Sequence, residues 1–133
     1  MLDLEVPDEY VREADFTSKG GYQATTELLA LDGRPTAIVA ASDLMALAAL
    51  QAIRDAGLEP GRDVAVVGFD DIEAAALAHP PLTTIRQDRE KLGTLAAERA
   101  MELIEHPDAS AGHDPAGRAR RPRVLGALAG PSH

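Results

Sequence analysis

Two stretches of this chain are apolar without alternation. Thr36-Ala37-Ile38-Val39-Ala40 and Asp63-Val64-Ala65-Val66-Val67-Gly68-Phe69 have the length of strands. A strand that is apolar on both faces belongs in the middle of a parallel sheet covered by helices. Helical spacing fills the chain between and around them. Over 19–31, Tyr22, Thr25, Leu28 and Leu29 fall on one face, and Asp32-Gly33 with Pro35 ends the helix. Ser42 caps a helix over 43–56, which Gly57 closes.

Upstream, 1–9 is a polar lead-in containing Pro7, and 10–14 reads as a short strand. Asp15-Phe16-Thr17-Ser18 then supplies capping side chains for the first helix. Downstream, Asp70-Asp71 ends the second apolar strand and 72–78 is a short Ala-rich helix, broken by His79-Pro80-Pro81. An extended segment over 82–87 leads to Asp88, the cap of a last helix over 89–105. Leu92, Leu95, Ala96, Leu103 and Ile104 give that helix an apolar stripe, and His106-Pro107 stops it. Strands alternating with helices of this length predict an α/β fold with right-handed crossovers. From 108 onward Ala, Gly, Pro and Arg dominate, and Arg118, Arg120, Arg121 and Arg123 cluster. The expected organisation is one domain over 1–107 and an irregular tail over 108–133, with one weak strand at 124–128.

Composition narrows the possibilities. Of 133 residues, 45% are hydrophobic but only 3% aromatic, so Ala, Leu and Val must fill the core. The net charge of −9 repels a phosphate backbone, and DNA binding by this chain alone is not expected. Cysteine is absent, which excludes disulfides and Cys-based zinc sites, and the four histidines show no metal-ligand spacing. No metal or other cofactor is expected. The N-terminus lacks the basic and apolar regions of a secretory signal, and no run approaches the roughly 20 apolar residues of a membrane helix. These features point to a soluble, cytoplasmic chain without membrane contact.

Several residues read two ways. Asp70-Asp71 stands at the carboxyl end of a buried strand, where open parallel sheets bind ligands, yet an Asp there also caps the next helix. Asp71 is the better cap of the two. Phe16 is either core packing or an exposed platform beside the same sheet edge. Ser42 caps a helix on the simplest reading, and Gln87 is a solvated loop amide or a cleft-lining one. The helix over 43–56 is apolar nearly all round, which calls for cover beyond one sheet face: burial within the chain, or self-association.

Arg34-Pro35-Thr36-Ala37-Ile38-Val39, Ser42-Asp43-Leu44-Met45-Ala46-Leu47, the strand running into Asp70-Asp71, and Pro81-Leu82-Thr83-Thr84-Ile85-Arg86-Gln87 stand in one order and spacing. Together they resemble the effector-sensing domain of the LacI/GalR family of repressors, from about residue 4 to 105. The family implies a periplasmic-binding-protein-like type I fold, a three-layer α/β arrangement of a parallel sheet flanked by helices. Two such subdomains hold the ligand in a cleft, and a separate helix-turn-helix precedes them. This sequence resembles the second subdomain and carries no counterpart of the first or of the helix-turn-helix. The helix over 89–105 would then be an orphaned crossover helix. The family's closing Leu-Val-x-Arg-x-Ser-like strand is replaced here by Val124-Leu125-Gly126-Ala127-Leu128-Ala129-Gly130.

The resemblance assigns Asp70 to the ligand as an acceptor carboxylate and Phe16 as a ring stacked on a sugar or base. Ser42 takes a position where the family often has a ligand-facing Asn, and Gln87 lines the cleft. A homodimer interface would involve Met45, Leu47, Ala48, Gln51 and Ala75. The function so implied is sensing of a small effector, a sugar or nucleobase-like compound, by a truncated regulator rather than an enzyme. Other readings stay open: a solute-binding module of a sugar transport system, or a non-functional remnant. A hydrolase is disfavoured because Ser42, His79 and Asp70 come without a Gly-x-Ser-x-Gly elbow. A phosphoacceptor receiver is disfavoured because Lys19 and Lys91, the only lysines, both fall on helices.

Overall fold

Ladder hydrogen bonds join five strands into one sheet in a computed structural model that describes residues 6–106 and 123–127. In chain order these are β1 (Val11–Glu13), β2 (Ala37–Ala40), β3 (Ala65–Asp70), β4 (Thr83–Arg86) and β5 (Arg123–Ala127). The sheet order is β1-β5-β2-β3-β4. β2 pairs in parallel with β3, and β3 with β4, whereas β5 runs antiparallel to both β1 and β2. The four strands β1 to β4 therefore share one direction. The helices are α1 (Ser18–Leu29), α2 (Asp43–Asp55), α3 (Glu73–Leu77) and α4 (Arg89–Glu105). The α/β class and the parallel centre agree with the sequence pattern.

Caps set the helix starts. Thr17 accepts from the Gly20 amide at 2.9 Å, Ser42 from Met45 at 3.3 Å and Asp88 from Lys91 at 3.0 Å. Each satisfies an amide that the first turn leaves unpaired, an effect of about 1 kcal/mol. α2 ends where Gly57 turns left-handed at φ +75. There the Gly57 amide donates to Arg54 and the Leu58 amide to Ile53, closing the last carbonyls.

The core lies between one sheet face and the pair α1 and α2. Leu28, Ile38, Met45, Ile53 and Val64 are fully buried there, with Ala24, Ala46, Ala49 and Leu50 between them. Small residues let the layers close. A Cβ on Gly21 would sit 2.7 Å from the Met45 Cα, so α1 crosses α2 at a separation that glycine permits. Alternation along β2 and β3 shows which face is covered. Ile38, Ala40, Val66 and Gly68 are buried, while Val39 and Ala65 on the opposite face are exposed. Among the described residues, helices thus cover one face of the sheet.

The sheet is mixed, because the strand expected weakly at 124–128 forms at Arg123–Ala127 and is inserted between β1 and β2. Its pairing on both sides satisfies backbone groups that β1 and β2 would otherwise leave open, so the sheet draws on residues from both sides of the 107/108 boundary. The basic cluster at Arg118, Arg120 and Arg121 lies outside the described residues. Residues 6–86 and 123–127 form one unit, and 87–106 form a second. That second unit is essentially α4. None of its residues is buried, and Leu92, Leu95 and Ile104 of the predicted stripe are exposed.

Candidate ligand-binding site at the carboxyl ends of the strands

Because β1 to β4 run the same way, Glu13, Ala40, Asp70 and Arg86 end at one edge of the sheet. Ligands of open α/β sheets bind outside that edge. Phe16 follows β1 by three residues, Ser42 follows β2 by two, and Asp70 is the last residue of β3. The topology therefore brings these three predicted site residues to one edge. Gln87 directly follows β4, is partly buried and begins the second unit.

Backbone strain marks the same edge. Among the described residues, three non-glycine residues have positive φ: Phe16 at 61, Asp70 at 128 and Asp71 at 58. Such conformations cost about 1–3 kcal/mol each and persist where surrounding contacts impose them. For Phe16 the contacts are local. Asp15 Oδ1 accepts from the Thr17 amide at 3.2 Å and from the Thr17 hydroxyl at 2.6 Å. The Thr17 hydroxyl oxygen in turn accepts from the Gly20 amide. A Cβ on Gly20 would overlap Asp15 Oδ1, so glycine makes room for the clamp. The Thr17 hydroxyl, then its amide, hold the Asp15 carboxyl below its usual range. The outcome is an aromatic ring 52% exposed at the rim of a cavity of about 620 Å³. Lys19, Gln23 and Glu27 also line it.

At β3 the contacts come from other elements. The Asp71 amide donates to Thr84 Oγ1 at 3.3 Å, and Asp71 Oδ2 accepts from Arg86 Nε at 2.5 Å. The Ile72 amide donates to Asp43 Oδ2 at 2.9 Å, and the Thr84 hydroxyl donates to Asp43 Oδ1 at 2.5 Å. Asp43 is buried beneath these groups. Sequence reasoning passed over it as an ordinary first-turn acid. Its signal was faint: an Asp on the apolar helix, directly after the cap.

The structure corrects some roles. Asp71 does not cap α3, which begins after Ile72 with no side-chain cap. The Asp71 carboxylate is drawn instead to the Arg86 guanidinium. Ser42 is buried and caps α2. Met45, Ala48 and Ala75 are buried within this chain, since α1, the sheet and the segment through Leu82 close over them. They offer no free surface for a partner. Leu47 is partly buried and Gln51 exposed, and Leu44 on the same helix is 45% exposed. The Gln51 amide donates to Asp55, which also accepts from the Tyr22 hydroxyl, whose pKa that bond raises. Among the described residues, no three His, Cys, Asp or Glu side chains are placed to hold a metal ion. Nor is any described helix long and apolar enough to cross a membrane.

Comparison with known proteins agrees with this architecture. Residues 1–119 match the periplasmic binding protein-like domain. The ribose operon repressor of Escherichia coli (strain K12) is 41% identical over 104 residues, 78% of this chain and 32% of that protein. The transcriptional regulator CelR, solved as a cellobiose complex, superposes with a TM-score of 0.71 at 40% identity, over 77% of this chain and 31% of that one. The lac repressor dimer bound to operator and the anti-inducer ONPF gives 0.63 at 42% identity, over 71% and 33%. The chain spans about a third of the length of the curated relatives it matches. Matched by that family over most of its length, the chain belongs to the periplasmic binding protein-like domain family and is similar there to repressors of the LacI type.

Proposed function

We propose that this chain is the effector-sensing part of a LacI-type transcriptional regulator, that its effector is a sugar, and that it works by binding rather than catalysis. The observation that carries this reading is the pair of strained strand ends. Backbone that is costly to maintain puts an exposed aromatic ring and a carboxylate at the same sheet edge. A ring face suits the C–H face of a pyranose or furanose, and Asp70 supplies acceptors for its hydroxyl hydrogens. The names of the relatives fit a sugar, since one is a ribose operon repressor and another was solved with cellobiose.

The dimer surface is assigned to the outer side of α2, at Leu44, Leu47 and Gln51, in place of the buried positions. A regulator of this kind acts in the cytoplasm, and this chain does not hold DNA by itself, given its net charge of −9. The test is an NMR titration of the chain with D-ribose, cellobiose and hypoxanthine. A sugar is expected to shift the Phe16 and Asp70 amides selectively. Shifts confined to other surfaces, or equal shifts in an Asp70→Asn variant, would count against the assignment.

A further inference from the structure

Asp43 is the acidic side chain whose burial the proposed site leaves unexplained. It opens α2 at 0% exposure, and no ion pair among the described residues includes it. Withdrawing a carboxyl group from water without a cation is costly unless both oxygens are hydrogen-bonded. Here both are, by the Ile72 amide and the Thr84 hydroxyl. The group is also wedged against β3, where a Cβ on Gly68 would overlap its Oδ1.

The position of its two donors gives the wedge a purpose. Ile72 directly follows the left-handed pair Asp70 and Asp71. The Thr84 oxygen that donates to Asp43 also accepts from the Asp71 amide. One buried carboxyl group thus grips the chain just beyond Asp70 at two points, at Ile72 directly and at Asp71 through Thr84. We propose that Asp43 is the positioning residue of the site: it holds the Asp70–Asp71 turn left-handed and so fixes the backbone that carries the Asp70 carboxylate. α2 thereby acts on the ligand without touching it. The functional half of this inference rests on Asp70 being the ligand's acceptor, and the conformational half does not.

The test uses the whole chain as Asp43→Asn, Thr84→Val, Thr84→Ser and Asp70→Asn variants, with melting temperatures recorded for each. Asn retains the shape and an acceptor for the Ile72 amide, which keeps a route to folding, but its NH2 group cannot accept from the Thr84 hydroxyl, so the second grip is lost. The first readout needs no ligand: the three-bond HN–Hα couplings and amide shifts of Asp70 and Asp71. Asp43→Asn and Thr84→Val are expected to move both residues away from their left-handed values, and Thr84→Ser to restore them. Unchanged couplings in a folded Asp43→Asn chain overturn the proposal. If that variant does not fold, Thr84→Val decides by the same couplings, because it leaves the Ile72 bond to Asp43 in place.

The second readout is affinity for cellobiose. Asp43→Asn is expected to weaken it roughly tenfold, and adding Asp43→Asn to Asp70→Asn is expected to weaken it no further. Losses that multiply in the double variant overturn the proposal, because independent contributions add in free energy. If Asp70→Asn binds cellobiose as the parent does, the ligand reading of Asp70 fails, while the couplings still decide whether Asp43 holds the turn.

Discussion

Met45→Ala separates two roles for α2. Met45 is completely buried, and α1 passes so close that a Cβ on Gly21 would lie 2.7 Å from the Met45 Cα. The substitution removes three heavy atoms from this contact. Large-to-small changes of this type cost about 2–5 kcal/mol, more where the surroundings cannot collapse into the space. Here the two backbones already touch, so α1 has no shorter approach to make. The loss belongs in the upper part of that range, at about 3–5 kcal/mol. Stability of a domain is only about 5–15 kcal/mol. A domain of 60–100 ordered residues melts about 4–8 °C lower per kcal/mol, so a fall of at least about 12 °C is expected. Circular dichroism melts at two protein concentrations measure it, beside sedimentation velocity. Leu44→Glu, on the exposed side of the same helix, is the control: it is expected to melt near the parent and to shift sedimentation toward monomer. A Met45→Ala chain that melts as the parent does but sediments as monomer would refute this placement and return Met45 to an interface.

Asp70→Asn removes a charge-assisted acceptor worth about 1.5–3 kcal/mol, so sugar affinity by calorimetry is expected to fall about ten- to a hundredfold. Asp71→Asn loses a pair whose Arg86 side chain is 83% exposed, and a stability change under about 1 kcal/mol is expected in denaturant titration. The Asp15 clamp has a definite pH sense. Its carboxyl pKa is lowered in the folded chain, so its contribution is present above the unfolded value and lost as pH falls through the folded one. Carbon-detected titration of Asp15 is expected to track a change in the Phe16 amide on the acid side, and Asp15→Asn to abolish that titration. Gly20→Ala places a Cβ on Asp15 Oδ1, and loss of the Phe16 loop conformation is expected in its amide shift.

What could be read in advance followed from period and punctuation. The apolar runs gave β2 and β3, and Ser42 and Asp88 gave the starts of α2 and α4 to the residue. Phe16, Ser42 and Asp70 were legible as one constellation, because each follows or closes a strand and strand direction alone gathers them. What stayed hidden depends on distant partners. Asp71 looked like a cap until Arg86, 15 residues on, stood beside it. Asp43 looked like a first-turn acid because its donors lie 29 and 41 residues away. Met45, Ala48 and Ala75 were assigned to a partner surface by resemblance alone, and helical period could not tell which apolar neighbour covers each face. β5 was legible only as a weak strand, because Val124-Leu125 is set among Arg, Gly and Ala, and its place between β1 and β2 depends on partners far back in the chain.

The place of β5 in the sheet also dictates an order of assembly. Parallel pairing of β2, β3 and β4, and the contact of α1 with α2, involve residues no later than Arg86. β1 has no such early partner, since its ladder is made with Arg123, Val124 and Leu125. During synthesis the half of the edge that bears Asp70 is therefore complete while the arm bearing Phe16 still lacks its backbone anchor. That arm can lock into register only after residues 123–125 have been made. Contacts this distant in sequence close slowly, because the loop entropy is lost before the strands repay it. Completion of this edge is thus a late event in folding, and a nascent chain halted before residue 123 would carry one half of the edge without the other's backbone anchor.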